Sequence, residues 1–329
     1  MRAVWYERIG PAAEVLQYGE LPDPEPAAGE VRVRVAASAV NPSDAKTRAG
    51  ASKRPTMFPR IVPQSDGAGV IDRVGAGVAK NRIGQRVWLY NAQWERPFGT
   101  AAELVALPAD LAVPLPDGIG FAEAACIGIP VMTAHRCLLG GGGVAGKTVL
   151  VTGGAGVVGY CAIQLAKWAG ATVITTVSSD AKSEHARSAG ADVVIDYKRE
   201  PVAERILEHT AGRGVDRIVE VELGGNLPVT AKVLKPSGVV AAYASMAVRE
   251  PVVPIYVLMV RNITIEMVLV YTMPDEAKRR AADDITKWLA SGGGKFAIAA
   301  RFPLERLADA HELVERGDKI GQVVVDVAI

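Results

Sequence analysis

Val149-Leu150-Val151-Thr152-Gly153-Gly154-Ala155-Gly156-Val157-Val158-Gly159 decides how the rest of the chain is read. An uninterrupted apolar run ends in a glycine-rich turn, and the turn opens onto a helical pattern from Tyr160 to Ala169. Gly154-x-Gly156-x-x-Gly159 has the spacing of a dinucleotide fingerprint. Glycine permits the tight turn and lets backbone N–H groups approach a pyrophosphate. The following helix turns its positive end toward that phosphate, and the last glycine lets helix and strand pack closely. Glycine-rich turns are common, so the strand–turn–helix context carries the reading. Gly154, Ala155, Gly156, Val157, Val158 and Gly159 are the candidate cofactor residues here.

The pattern propagates downstream. Ala171–Val177 reads as a second apolar strand, and strands at 192–195, 217–221 and 239–243 alternate with helices at 182–188, 201–209 and 228–234. Continuous apolar strands suit a sheet covered on both faces, and strand–helix alternation implies a parallel α/β sheet with right-handed crossovers. Ile263–Val270 is expected to close this sheet at its edge, followed by a helix over 275–290.

Upstream the texture differs. Val31-Arg32-Val33-Arg34-Val35 alternates apolar and polar, the period of a half-buried strand. Val70–Val74 and Gln85–Leu89 are further short strands, punctuated by Gly75, Gly77 and the prolines at 22, 24 and 26. These predict a compact, barrel-like β domain, and the C-terminal strand Gly321–Val327 is of the same kind. The chain is therefore expected to leave a β-rich domain, build an α/β domain and return. The expected boundaries are 1–126 and 271–329 for the first domain and 127–270 for the second.

Composition excludes other classes. The 329 residues carry 37 Lys+Arg against 36 Asp+Glu, without the clustered positive charge a phosphate-binding nucleic-acid partner requires. Cys126, Cys137 and Cys161 are an odd number with no metal-ligand spacing, which suits a reducing cytosol. There is no signal-peptide pattern at the N-terminus and no apolar run of membrane-spanning length.

The end of the second strand discriminates NAD from NADP. NAD enzymes place an acid there for the ribose 2′-hydroxyl. This strand ends Thr176-Val177-Ser178-Ser179, with Lys182 four residues after Ser178. The missing acid removes repulsion of a 2′-phosphate and Lys182 adds a cation, so NADPH is the expected cofactor. Asp180 is the dissenting residue, read as the N-cap of a helix starting near Ala181.

With these motifs in place, the chain resembles, over nearly its full length, the zinc-independent quinone oxidoreductases of the medium-chain dehydrogenase/reductase superfamily. Asn41-Pro42-Ser43-Asp44-Ala45-Lys46-Thr47-Arg48-Ala49-Gly50 is similar to that family's Asn-x-x-Asp-x-Tyr-x-Arg-x-Gly. Asp66-Gly67-Ala68-Gly69-Val70 through Gly84-Gln85-Arg86-Val87 resembles the superfamily's Glu-Gly-x-Gly-x-Val…Gly-Asp-x-Val. The resemblance implies a GroES-like β-rich catalytic domain beside a doubly wound Rossmann domain, and a homodimer joined through strand 263–270. It places Ser178, Lys182 and Tyr197 at the 2′-phosphate and adenosine, Asn41 and Thr133 near the nicotinamide, and Tyr243 and Ser245 in a nicotinamide-facing loop. Each has a plainer reading: Tyr197 as a surface tyrosine, Thr133 as a helix cap, Asn41 as a turn former. Lys46 stands where most relatives have tyrosine. It is either a solvated lysine or a cation beside the reacting carbonyl.

Zinc alcohol dehydrogenases carry a cysteine ligand near Asn41 and a histidine immediately before the acidic residue; here there is no cysteine, and Ser65 stands at the histidine position. A catalytic zinc needs three such protein ligands, so no metal is expected. Without a Lewis acid, oxidation of a simple alcohol is disfavoured, whereas a quinone or an α,β-unsaturated carbonyl spreads its own developing charge. The expected activity is NADPH-dependent reduction of such an acceptor. The alternatives are an enoyl-thioester or alkenal reductase of the same superfamily and a non-catalytic NADPH-binding protein.

Overall fold

The structure, a computed structural model, describes residues 1–51 and 58–327. It divides into two compact units: residues 1–129 with 296–329, and residues 130–295. The return to the first unit thus comes after residue 295 rather than after residue 270. The helix Asp275–Ala290 belongs to the second unit, where its Asp284 meets His135 at 3.1 Å and Lys295 donates its backbone N–H to Gln164 at 2.9 Å.

In the second unit six parallel strands follow the order Val193–Asp196, Thr172–Val177, Thr148–Val151, Val215–Glu220, Leu234–Ala242, Thr264–Met267. The chain starts in the middle, winds outward one way, then returns and winds outward the other way, the doubly wound arrangement. Val149, Leu150, Val151, Val173, Ile174, Ile218, Val219, Val240 and Ala241 are all buried, so the apolar runs mark strands covered on both faces. The helix expected over 228–234 instead spans Leu223–Val233, with Pro228 inside it. Its early start follows from Gly224: a Cβ there would lie 2.1 Å from the Val248 carbonyl oxygen, so only glycine lets the helix begin against that loop.

The first unit is built on a sheet running Ile298–Pro303, Gln322–Asp326, Glu30–Val40, Asp66–Val74, Arg86–Leu89, Ala112–Pro114, with Leu104–Pro108 also pairing with Glu30–Val40. Val31, Val33 and Val35 are in its core, as the alternation predicts. Arg32 is buried as well, because its guanidinium meets Asp72 through two parallel hydrogen bonds of 2.9 Å, a fork geometry that satisfies a charge out of water. Gly69 is required by close approach: a Cβ would stand 2.0 Å from the Arg34 carbonyl oxygen across the strand pair.

One short helix, Pro42–Arg48, sets the position of two candidate residues, Asn41 at its N-cap and Lys46 in its last turn. Pro42 begins it with a preset backbone angle and no N–H to satisfy. The Asp44 carboxylate turns back to accept the Asn41 backbone N–H at 2.8 Å, one half of a capping box. Asp44 is buried, and that burial pushes its carboxyl up to about 7, the hydrogen bonds from Asn41 offsetting only part of the shift. A carboxyl whose pKa is higher folded than unfolded binds its proton more tightly in the native state. It therefore favours folding below the unfolded value near 4 and loses that contribution as pH rises to about 7. The urea midpoint should fall between pH 5 and pH 7.5, and Asp44→Asn, which keeps an acceptor oxygen but cannot titrate, should flatten that fall. An unchanged slope in the variant would show that Asp44 is ionised throughout.

Candidate active site

The glycine turn leaves the end of strand Thr148–Val151 and enters the helix Val157–Trp168. The left-handed residue that makes the turn is Gly153, at φ +65°, one position ahead of the fingerprint spacing. The three fingerprint glycines have separate duties. A Cβ on Gly154 would lie 2.0 Å from Thr175 Oγ1, and one on Gly159 would lie 2.4 Å from the Gly153 carbonyl oxygen, so both are demanded by packing. A Cβ on Gly156 would meet nothing nearer than 3.3 Å. Gly156 is the N-cap and has no side chain to cap with. The first-turn N–H groups of Val157 and Val158 have no acceptor within the helix, and Gly156 leaves their face open to an incoming anion. The turn is clamped to the neighbouring strand by Gly154 N–H donating to the Thr176 carbonyl at 3.0 Å and Gly153 N–H donating to Thr176 Oγ1 at 3.2 Å.

The adjacent strand end brings three candidates together. Lys182 Nζ donates to Ser178 Oγ at 3.1 Å. Tyr197 follows strand Val193–Asp196, its backbone N–H bonded to the Val177 carbonyl at 3.0 Å and its ring half exposed. The helix cap here is Ser179, not Asp180: Ser179 has extended backbone angles and its Oγ accepts the Lys182 N–H. Asp180 is the first residue of the helix, and its carboxylate pairs with Arg199 at 2.7 Å. The nearest acid is thus turned toward a guanidinium of the next loop.

Thr133 is buried on the helix Gly128–Leu139. Tyr243 and Ser245 follow strand Leu234–Ala242 and line a cavity of about 640 Å³ at the C-terminal ends of the strands, the edge from which the glycine turn also leaves. Tyr243 is half-buried, and burial raises its phenol well above the usual range. Ser245 is largely occupied: its Oγ accepts the Gly224 N–H at 2.9 Å and lies 2.5 Å from the Val248 carbonyl oxygen. The sequence reading missed Glu222, whose carboxylate accepts the N–H groups of Met246, Ala247 and Val248 at 2.6, 2.9 and 3.1 Å and so holds this loop. Only contact distances could have shown it, since a glutamate before Leu223-Gly224-Gly225 has no signature of its own.

In the first unit Asn41 is buried, and its side chain is held at both ends. Its Nδ2 donates to Asp66 Oδ2 at 2.7 Å, and its Oδ1 accepts from Gln322 Nε2 at 3.2 Å. Asp66 also accepts the Ile129 N–H at 2.9 Å, and burial raises its carboxyl well above the ordinary range. Gln322, near the C-terminus, was not foreseen as a partner. Lys46 is exposed, one helical turn beyond Asn41. Ser65 is buried beside Asp66. Among the described residues no group of three or more His, Cys, Asp or Glu side chains is arranged to hold a metal ion.

Residues 27–117 match the alcohol dehydrogenase GroES-like domain, and residues 157–287 match the zinc-binding dehydrogenase family. Quinone oxidoreductase of Homo sapiens is 31% identical over 320 residues, covering 96% of this chain and 94% of that protein. The chloroplastic NADPH-dependent alkenal/one oxidoreductase of Arabidopsis thaliana is 31% identical over 309 residues, covering 92% of this chain and 73% of that protein. Among solved structures, Escherichia coli quinone oxidoreductase complexed with NADPH superposes with a TM-score of 0.84 at 26% identity, covering 99% of this chain and 100% of that one. The chain belongs to the quinone oxidoreductase family of the medium-chain dehydrogenases/reductases.

Proposed function

We propose that this protein is an NADPH-dependent oxidoreductase that delivers a hydride to a quinone or an α,β-unsaturated carbonyl without a metal. The observation that carries the cofactor is the strand end beside the open glycine turn. Ser178 and Lys182 are in contact there, Tyr197 stands on the neighbouring strand, and Asp180 is engaged by Arg199. A ribose 2′-phosphate would find a cation and a hydroxyl in that place, with Asp180 turned toward Arg199. NADPH, when bound, supplies the hydride. The N–H groups of Val157 and Val158 would hold its pyrophosphate, with Ser178, Lys182 and Tyr197 at the adenosine end and Thr133 and Tyr243 toward the nicotinamide.

The acceptor oxygen gains negative charge as it is reduced, and fixed donors must stabilise it. Asn41 and Lys46 are the groups we assign to this. Asn41 Nδ2 carries two N–H bonds, one of them committed to Asp66, and the anchoring at both ends removes the freedom to reorient. Lys46 brings a flexible ammonium. The donor set at Asn41, Ser65 and Ile129 contains no cysteine or histidine, which is why a donor-only mechanism is assigned in place of a metal. The likeness to an alkenal/one oxidoreductase supports an alkenal or enoyl-thioester reductase as the second reading.

The proposed assembly is a homodimer. Strand Thr264–Met267 pairs on one side only, and an open strand edge invites a second copy. Met267 at its end is 75% exposed, and the helix Ile255–Met259 exposes Tyr256 at 80%. No helix among the described residues is long and apolar enough to cross a membrane, and a cytosolic setting suits the buried thiols of Cys126, Cys137 and Cys161.

NADPH oxidation should be seen with quinones or enones in a panel that includes acyl-thioesters, and NADPH binding without turnover of any acceptor would leave a binding protein only. Lys182→Ala should weaken NADPH roughly tenfold or more, the worth of one charge-assisted contact, and change NADH binding little. Equal loss for both cofactors would remove Lys182 from the 2′-phosphate. Light scattering at micromolar concentration should give twice the chain mass, and a monomer mass would refute the pairing.

A further inference from the structure

The cavity at the C-terminal ends of the strands has an unusual electrostatic composition. Its walls are mainly apolar, from Leu223, Met267, Val268 and Met273, with Tyr243 also in the lining. The lining contains two guanidinium groups, Arg136 and Arg249, and no aspartate or glutamate. Arg136 is on the helix Gly128–Leu139, one turn beyond Thr133, and is only partly exposed. Its side chain folds over Gly140: a Cβ on that glycine would lie 3.0 Å from Arg136 Cδ. Arg249 stands exposed on the loop held by Glu222.

The other charges of this region are already engaged. Arg217 binds Glu266, and Asp284 pairs with Arg280 and Lys287. Glu222 is spent on three backbone N–H groups, which hold its carboxyl below the usual range against the opposing effect of burial. Among the described residues Arg136 and Arg249 form no ion pair. A partly buried guanidinium with no carboxylate partner is uncommon, because withdrawing a charge from water is costly unless it is paired. Such a group in an apolar cavity of ligand size suits a bidentate anion.

We infer that this cavity binds a carboxylate group carried by the acceptor, with Arg136 as its partner inside and Arg249 at the rim, so that the acceptor is an anionic enone or quinone. This rests on the proposed reductase reading, and it adds a substrate class to it. The glycine turn does not line this cavity, which is the reason for assigning the anion to the acceptor and not to a phosphate of the cofactor. Arg136 is a specificity residue in this account: it holds the remote carboxylate while the reduced carbons face the cofactor. The carboxylate itself takes no part in electron transfer.

The test uses a matched pair of acceptors, a carboxyl-substituted enone and its methyl ester, with the full chain. The parent protein should prefer the acid by roughly tenfold or more in kcat/KM, through KM. Arg136→Met should lose most of that preference, costing the acid far more than the ester, and Arg136→Lys should recover part of it. Equal losses for acid and ester in Arg136→Met, or a parallel loss of NADPH affinity, would overturn the inference and return Arg136 to the fold or to the cofactor. A second arm does not depend on turnover: both compounds are titrated calorimetrically into protein saturated with NADP+. If the parent binds the acid but reduces no acceptor, the reductase reading falls and the carboxylate site stands. If acid and ester bind alike, or neither binds, the carboxylate site falls whatever the turnover shows.

Discussion

The Asp66 carboxylate is the constraint on which the first unit's candidate groups depend. It is fully buried and takes one hydrogen bond from the Asn41 side chain and one from the Ile129 backbone. A buried carboxyl left without partners is costly, so strand Asp66–Val74, the cap of helix Pro42–Arg48 and the start of helix Gly128–Leu139 are bound to one another through it. Gly128 belongs to the same constraint, since a Cβ there would lie 2.1 Å from Asp66 Oδ1. Gln322 closes the arrangement from the C-terminal strand by donating to Asn41 Oδ1. Asn41 is thereby fixed on two sides, as a donor must be if it is to meet charge at a set place.

In the second unit the corresponding constraint is steric. Strand and helix come so close at the turn that Gly154 and Gly159 have no room for a side chain, while Gly153 supplies the left-handed backbone. These three build the turn, and Gly156 alone of the fingerprint glycines is not required by close packing. The glycine fingerprint therefore conceals two kinds of requirement, and substitution at Gly156 tests ligand approach where substitution at Gly154 or Gly159 tests folding.

The doubly wound sheet was legible because its strands are continuous apolar runs. Val149–Val151, Val173–Val177 and Ile218–Val219 have no second reading once helices separate them. Ser178 and Lys182 were singled out from a strand end and Tyr197 only through the family resemblance; the parallel register of strands Thr172–Val177 and Val193–Asp196 places those strand ends side by side. What was not legible depended on contacts distant in sequence. Asp180 resembled a cap, yet the capping oxygen came from Ser179 because Asp180 pairs with Arg199, 19 residues on. The helix expected from 228 begins at Leu223, with Gly224 fitting against Val248. The helix at 275–290 was expected in the first domain, yet it joins the second unit, where its Asp284 finds His135 across 149 residues. Arg136 carried no motif; what sets it apart is that it forms no ion pair among the described residues.

Replacement of a metal by fixed hydrogen-bond donors is the central claim about chemistry, and the donor set around Asn41, Ser65 and Asp66 is where it rests. Elemental analysis of the purified protein, taken together with NADPH-dependent turnover before and after a strong chelator, tests it most directly. The account predicts zinc far below one per chain and turnover indifferent to the chelator. About one tightly held zinc per chain, with activity lost on its removal, would contradict it, because a catalytic zinc held by its usual three protein ligands would then have to be built from residues other than these.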